Sequence, residues 1–80
     1  MKNHNKAFGK ALREFRKVNN QTQEVLAFES ELDRTYISLL ELGQRSPTLD
    51  TTFALCNALN ITLIEFATAI EKHMDQSNNG

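Results

Sequence analysis

A single cysteine, Cys56, leaves no internal disulfide to form, which excludes the stapled scaffolds of small secreted domains. Glycine is scarce: Gly9, Gly43 and Gly80 stand apart, so there is no glycine-rich phosphate loop. The two histidines, His4 and His73, lie near opposite ends and far from the cysteine, so a zinc site has nothing to be built from. No apolar run approaches the ~18 residues of a membrane span, and no basic segment leads into an apolar one as in an export signal. Neither sign of charge dominates: nine basic and ten acidic residues give a formal net charge of −1. That balance excludes a polycationic tail and by itself gives no support to nucleic-acid binding. No nucleophile–base pair, metal cluster or cofactor loop can be named, so an enzyme is not expected. A cytoplasmic, cofactor-free domain with no membrane partner is the expectation.

What is present suffices for one small domain. Eighty residues, 40% of them hydrophobic, can hide about 60% of the unfolded surface and build a thin core. The apolar residues recur at three- and four-residue spacing, with no period-two alternation. Ala7, Phe8, Ala11, Leu12, Phe15 and Val18 mark a first helix from about Lys6 to Lys17, which Asn19 and Asn20 end. Thr22 is a good N-cap for a second helix over Gln23–Glu29 that turns Leu26 and Ala27 inward. Asp33 is read as the cap of a third, Arg34–Glu41, closed by Gly43 as a left-handed residue. Gln44–Pro47 form a loop, and Thr48 caps a fourth helix carrying Leu49, Phe53, Leu55, Cys56 and Leu59. Thr62-Leu63-Ile64-Glu65 reads as a capping box. It opens a fifth helix to about His73, with Ile64, Phe66, Ala67 and Ile70 as its apolar set. The structured span is thus 6–73 of a single domain over 1–80, with residues 1–5 and 75–80 expected to be flexible. The expected fold is all-α: five short helices around one core.

Helices two and three are joined by only Ser30 to Asp33, which forces a steep crossing, with Ala27 supplying the small residue it needs. Four stretches occur in order: Gln23-Glu24-Val25-Leu26-Ala27, then Leu32 to Ser38, then Glu41-Leu42-Gly43, then Ser46-Pro47-Thr48-Leu49. Together these resemble the lambda-repressor/Cro-type helix-turn-helix family. Within it they look most like restriction–modification controller proteins and phage or plasmid repressors. The resemblance spans about Phe8 to Ile70. It implies a compact five-helix domain that binds a double-stranded DNA operator as a homodimer, with RNA polymerase as a further candidate partner.

The resemblance also implies roles residue by residue. The recognition helix would set Arg34, Thr35 and Leu39 against base edges. Arg34 suits guanine O6 and N7, and the methyl of Thr35 suits a thymine methyl. Thr22 and Gln23, at the head of helix two, would meet a phosphate, as would Gln44, Arg45 and Ser46 in the following loop. Ser38 and Tyr36 belong with these backbone contacts, although Tyr36 could equally pack on a sugar or half-bury itself against helix two. Arg16 and Glu41 match a structural ion pair of the family. Helix five matches its dimerisation element through Leu63, Phe66, Ala69, Ile70 and His73, while Ile64, Ala67 and Ile70 read more readily as core. Cys56 reads as a small core hydrophobe, and Leu42 has no evident task.

Two departures from the family pattern stand out: Glu31 stands where a glycine is usual, and Asn20-Gln21 replaces a glycine–leucine pair. The implied function is a transcriptional regulator that blocks or recruits polymerase. The alternative is an antitoxin or other protein-interaction module on the same fold. Charge is uneven along the chain: residues 1–45 hold eight basic and six acidic side chains, residues 46–80 one and four. The −1 total averages a mildly basic half and an acidic one.

Overall fold

A computed structural model describes the backbone of residues 3–79 and the side chains of 4–75. In the described residues the chain forms α1 (Asn3–Val18), α2 (Gln23–Ser30), α3 (Arg34–Glu41), α4 (Leu49–Leu59) and α5 (Leu63–Asn79), and no strand. The outer helices exceed the expected span of 6–73. α1 begins three residues before Lys6, and α5 carries on past His73 through part of the segment expected to be flexible. Met1, Lys2 and Gly80 lie outside the described residues. No single helix is long and apolar enough to cross a membrane.

Local chemistry sets the inner boundaries. The Thr22 hydroxyl accepts from the Val25 N–H at 3.1 Å and starts α2. The Thr48 hydroxyl accepts from the Thr51 N–H at 3.0 Å and starts α4. Thr62 and Glu65 form the reciprocal box at the head of α5: the Thr62 N–H donates to Glu65 Oε1 at 2.8 Å, and the Glu65 N–H to Thr62 Oγ1 at 3.0 Å. Asp33 takes the N-cap position of α3, but its side chain makes no capping hydrogen bond, a correction to its expected role. Three turns close on left-handed residues other than glycine: Asn20 (φ 56°), Glu31 (φ 59°) and Asn60 (φ 60°); Gly43 (φ 76°) does so after α3. Asparagine tolerates this region, whereas glutamate does not do so readily.

The core sits among all five helices. Leu12, Leu26, Ile37, Leu40, Leu55, Leu59 and Phe66 are fully buried. Phe66 is its centre. Its ring lies 4.9 Å from that of Phe8 and 6.0 Å, edge-on, from that of Phe15, geometries that aromatic quadrupoles favour. Gly9 makes possible the approach of α1 to α3. A β-carbon there would fall 2.5 Å from the carbonyl oxygens of both Leu40 and Glu41, so α1 rests directly on the C-terminal turn of the third helix. Asn19 Nδ2 donates to the Leu59 carbonyl at 3.0 Å and ties the α1–α2 turn to the end of α4. Cys56 is 3% exposed, and burial pushes its thiol pKa up. That suppresses the thiolate and fits a packing role.

Candidate nucleic-acid interface

The third helix buries Ile37 and Leu40. A helix that buries one side must present the residues between, and the outward side carries Thr35, Ser38, Leu39 and Leu42 at i, i+3, i+4 and i+7. Arg34 and Thr35 are exposed, Ser38 and Leu39 are half-buried, and Leu42 is 60% exposed. Leu42, without a task in the sequence, therefore continues the apolar edge begun by Leu39; its i+7 spacing from Thr35 was the signal for this. Tyr36 is half-buried with its ring packed on the core, which favours the last of its three readings.

Behind this face runs a chain of polar contacts through four residues. Arg16 donates from Nε to Glu41 Oε2 at 2.6 Å and from Nη2 to Oε1 at 3.1 Å, a two-pronged pair. Its third nitrogen, Nη1, donates to the Gln21 carbonyl at 2.9 Å. The two side chains are only 11% and 6% exposed. Glu41 Oε1 also accepts from Gln23 Nε2 at 3.0 Å, and Gln23 Oε1 accepts from Arg34 Nη1 at 3.3 Å. The carboxylate thus orients the amide of Gln23, because only the NH2 end can face it. The amide oxygen is then left to hold the guanidinium of Arg34. Sequence reasoning assigned Gln23 to a phosphate, but its side chain is committed within the protein.

What the head of α2 still offers is backbone. Thr22 occupies the Val25 N–H through its hydroxyl and the Leu26 N–H through its carbonyl. Among the described residues the N–H groups of Gln23 and Glu24 have no acceptor. They open beside a depression of about 410 Å3 lined by Arg16, Thr22, Gln23, Glu24 and Arg34. Free N–H groups at the positive end of a helix dipole, with the exposed Arg34 guanidinium nearby, suit an oxyanion. On the other side of α3, Gln44, Arg45 and Ser46 are all exposed. Arg45 makes only a long 3.5 Å contact to its neighbour's carbonyl, so its charge is available.

The residues assigned to a dimer fare differently. Phe66 is 0% exposed and wedged between Phe8 and Phe15, so it has no surface to offer a partner; that assignment is corrected. Leu63, Ala69 and Ile70 are half-buried and pack on the same core. His73 is engaged within the chain, its Nε2 lying 2.9 Å from Glu14 Oε1. Ile64 and Ala67, read as core, are exposed, Ile64 at 78%. Ile64 and Phe66 lie on nearly opposite sides of one helix, and the 105° bend between α4 and α5 turns the Phe66 side inward. Leu49 and Phe53, one turn apart on α4, are also exposed.

A helix-turn-helix family model matches residues 12–66, which contain α2, α3 and the loops that carry the exposed polar groups. The chain belongs to the Cro/C1-type helix-turn-helix family. Among relatives of this family member, the Control protein C.BamHI of Bacillus amyloliquefaciens is 42% identical over 65 residues, 76% of this chain and 80% of its own. The restriction–modification controller protein C.AhdI of Aeromonas hydrophila superposes with a TM-score of 0.76 at 42% identity, over 78% of this chain and 94% of that one. The controller protein C.Esp1396I, solved as a tetramer with its natural 35-base-pair operator, superposes with a TM-score of 0.82 at 28% identity, over 89% and 93%.

Proposed function

We propose that the chain is a sequence-specific DNA-binding transcriptional regulator of the restriction–modification controller type, acting in the cytoplasm as a homodimer on a pseudo-palindromic operator. The observation that carries this is the exposed Arg34, held at the head of the recognition helix by a buried ion pair acting through Gln23. A guanidinium held on that line can donate twice to guanine O6 and N7. Thr35, Leu39 and Leu42 give an apolar edge for thymine methyls, with Ser38 beside them. The Gln23 and Glu24 N–H groups beside Thr22 take one phosphate, and the Gln44-Arg45-Ser46 loop takes the next. The relatives' names support the controller reading and not the antitoxin alternative.

The exposed apolar set Leu49, Phe53 and Ile64, with half-buried Leu63, Ala69 and Ile70 beside it, is the face we assign to the second copy. This set takes the place of Phe66, while His73 serves to hold α5 on α1. Two recognition helices related by a two-fold axis would sit about 34 Å apart, one turn of the duplex. Past its first turn, the outward side of α2, with Phe28 at 84% exposure beside exposed Glu29, offers no cation to a phosphate. It suits a protein neighbour on the same promoter, RNA polymerase being the candidate. Selection of binding sites from random duplex DNA tests the reading. A recovered inverted repeat, with relaxed preference at one position for Arg34→Ala, is the expected result. An unenriched pool for the wild type overturns it.

A further inference from the structure

One concentration of charge has no task in that reading. Lys6, Lys10, Arg13 and Lys17 fall at i, i+4, i+7 and i+11 along α1, a single line down the helix. All four are exposed, and none has an ion-pair partner among the described residues. Ala7, Phe8, Ala11 and Leu12 occupy the buried side, so the line is the outermost surface of α1. Glu14, the one carboxylate of this helix, is bound to His73 of α5. Between the cations there is no exposed apolar side chain; Val18 lies beyond the last of them. The side chains of Lys10, Arg13 and Lys17, with Glu14 and His73, line a depression of about 310 Å3.

The position of the line matters as much as its charge. Its first member, Lys6, packs against Gly43: a β-carbon on Gly43 would lie 2.9 Å from Lys6 Cγ. The next residue is Gln44, the start of the exposed loop assigned to the DNA backbone. From there the cations run about 16 Å at 1.5 Å per residue. Like charges spaced this way cost helix stability by a few tenths of a kcal/mol per pair. A surface with charge and no apolar anchor suits a polyanion better than a protein groove, which needs a desolvated core.

We propose that this stripe is a second, sequence-independent contact with duplex DNA phosphates, continuing from the Gln44–Ser46 loop and lying outside the half-site read by α3. It rests on the DNA-binding reading but uses none of its base-reading residues.

The test uses the full chain carrying Lys10→Gln, Arg13→Gln and Lys17→Gln together, with circular dichroism to establish an unchanged fold, and two probes. On a mixed-sequence duplex of about 40 base pairs, the triple variant should bind about tenfold more weakly. Its log–log salt slope should be shallower by about 2 to 3, since each phosphate contact contributes about 0.9. Affinity and slope equal to wild type would overturn the proposal. On the selected operator trimmed to its protected core, the variant should bind within about twofold of wild type; a loss there as large as on the mixed duplex places the stripe on the half-site and also overturns it. Arg34→Ala should behave inversely, losing the trimmed operator and keeping the mixed duplex. If Arg34→Ala retains the trimmed operator, the base-reading assignment fails while the stripe stands or falls on the first probe.

Discussion

The second and third helices are each eight residues long and cross in one motif, yet they are finished in opposite ways. α2 is closed at both ends by its own neighbourhood. The Thr22 hydroxyl caps its first turn, and a left-handed Glu31 returns its N–H to the Ala27 and Phe28 carbonyls. α3 begins on an aspartate that caps nothing, and its first residue reaches across to α2 through Gln23. Their outward sides differ as well: Glu24, Val25, Phe28 and Glu29 on one, Thr35, Ser38, Leu39 and Leu42 on the other. The difference teaches that the two helices divide the work. One is a self-sufficient strut that, in the proposed function, shows DNA only its amino end. The other is held from behind, so that its front stays free of intramolecular bonds.

The sharpest way to break this arrangement is to cut the tie between the two helices. Glu41→Ala strands the Arg16 guanidinium, nine-tenths buried, with the Gln21 carbonyl alone and leaves Gln23 Nε2 without its acceptor. Removing one partner of such a pair costs about 3–5 kcal/mol, much of the stability of so small a domain. Urea denaturation should therefore find the variant largely unfolded; a normal midpoint would refute a structural role. Arg16→Met combined with Glu41→Leu leaves no stranded charge and should keep most of the stability.

Next in size are the outward faces. Arg34→Ala should cost about 1–3 kcal/mol of operator binding at an unchanged Tm, whereas Phe28→Ser should leave operator affinity within about 0.5 kcal/mol. Equal losses from both, measured by fluorescence anisotropy, would erase the distinction between the helices.

The carboxyl ends provide the smaller tests. Gly43→Ala places a β-carbon 2.9 Å from Lys6 Cγ in a backbone at φ 76°, and should destabilise by about 1–2 kcal/mol. Glu31→Gly removes a side chain from the same left-handed region after α2 and should raise Tm. The relief of about 1–2 kcal/mol is offset in part by the greater freedom of glycine in the unfolded chain. An unchanged or lower Tm would show that the Glu31 turn carries no strain. The smallest effect concerns Cys56. Its thiol pKa is raised by burial, so the folded chain retains a proton that the unfolded chain releases. Stability should then fall as pH rises through the usual thiol range near 8.5, and Cys56→Ala should remove that slope.

These boundaries were legible because capping is local. Thr22, Thr48 and the Thr62–Glu65 box announce helix starts within four residues, and Asn20 and Gly43 announce stops. The outer limits of α1 and α5 were not, since Asn3 to Asn5 and the residues after His73 carry no apolar period. Ile64 and Phe66 were misread for a related reason: period alone shows two apolar sides of α5, and only the bend from α4 decides which one is buried. The Arg16–Glu41 pairing was legible through the family resemblance. The commitment of Gln23 to both Glu41 and Arg34 was not, because it depends on where the crossing of α2 and α3 sets three side chains from different turns.

Gly9 carries a further consequence. With the backbone of α1 seated on the last carbonyls of α3, the proposed reading helix cannot slide or roll without dragging the 16-residue α1 with it. The protein then meets an imperfect operator as a stiff template. Adjustment falls to the duplex, whose bendability at steps no side chain touches becomes part of what is recognised.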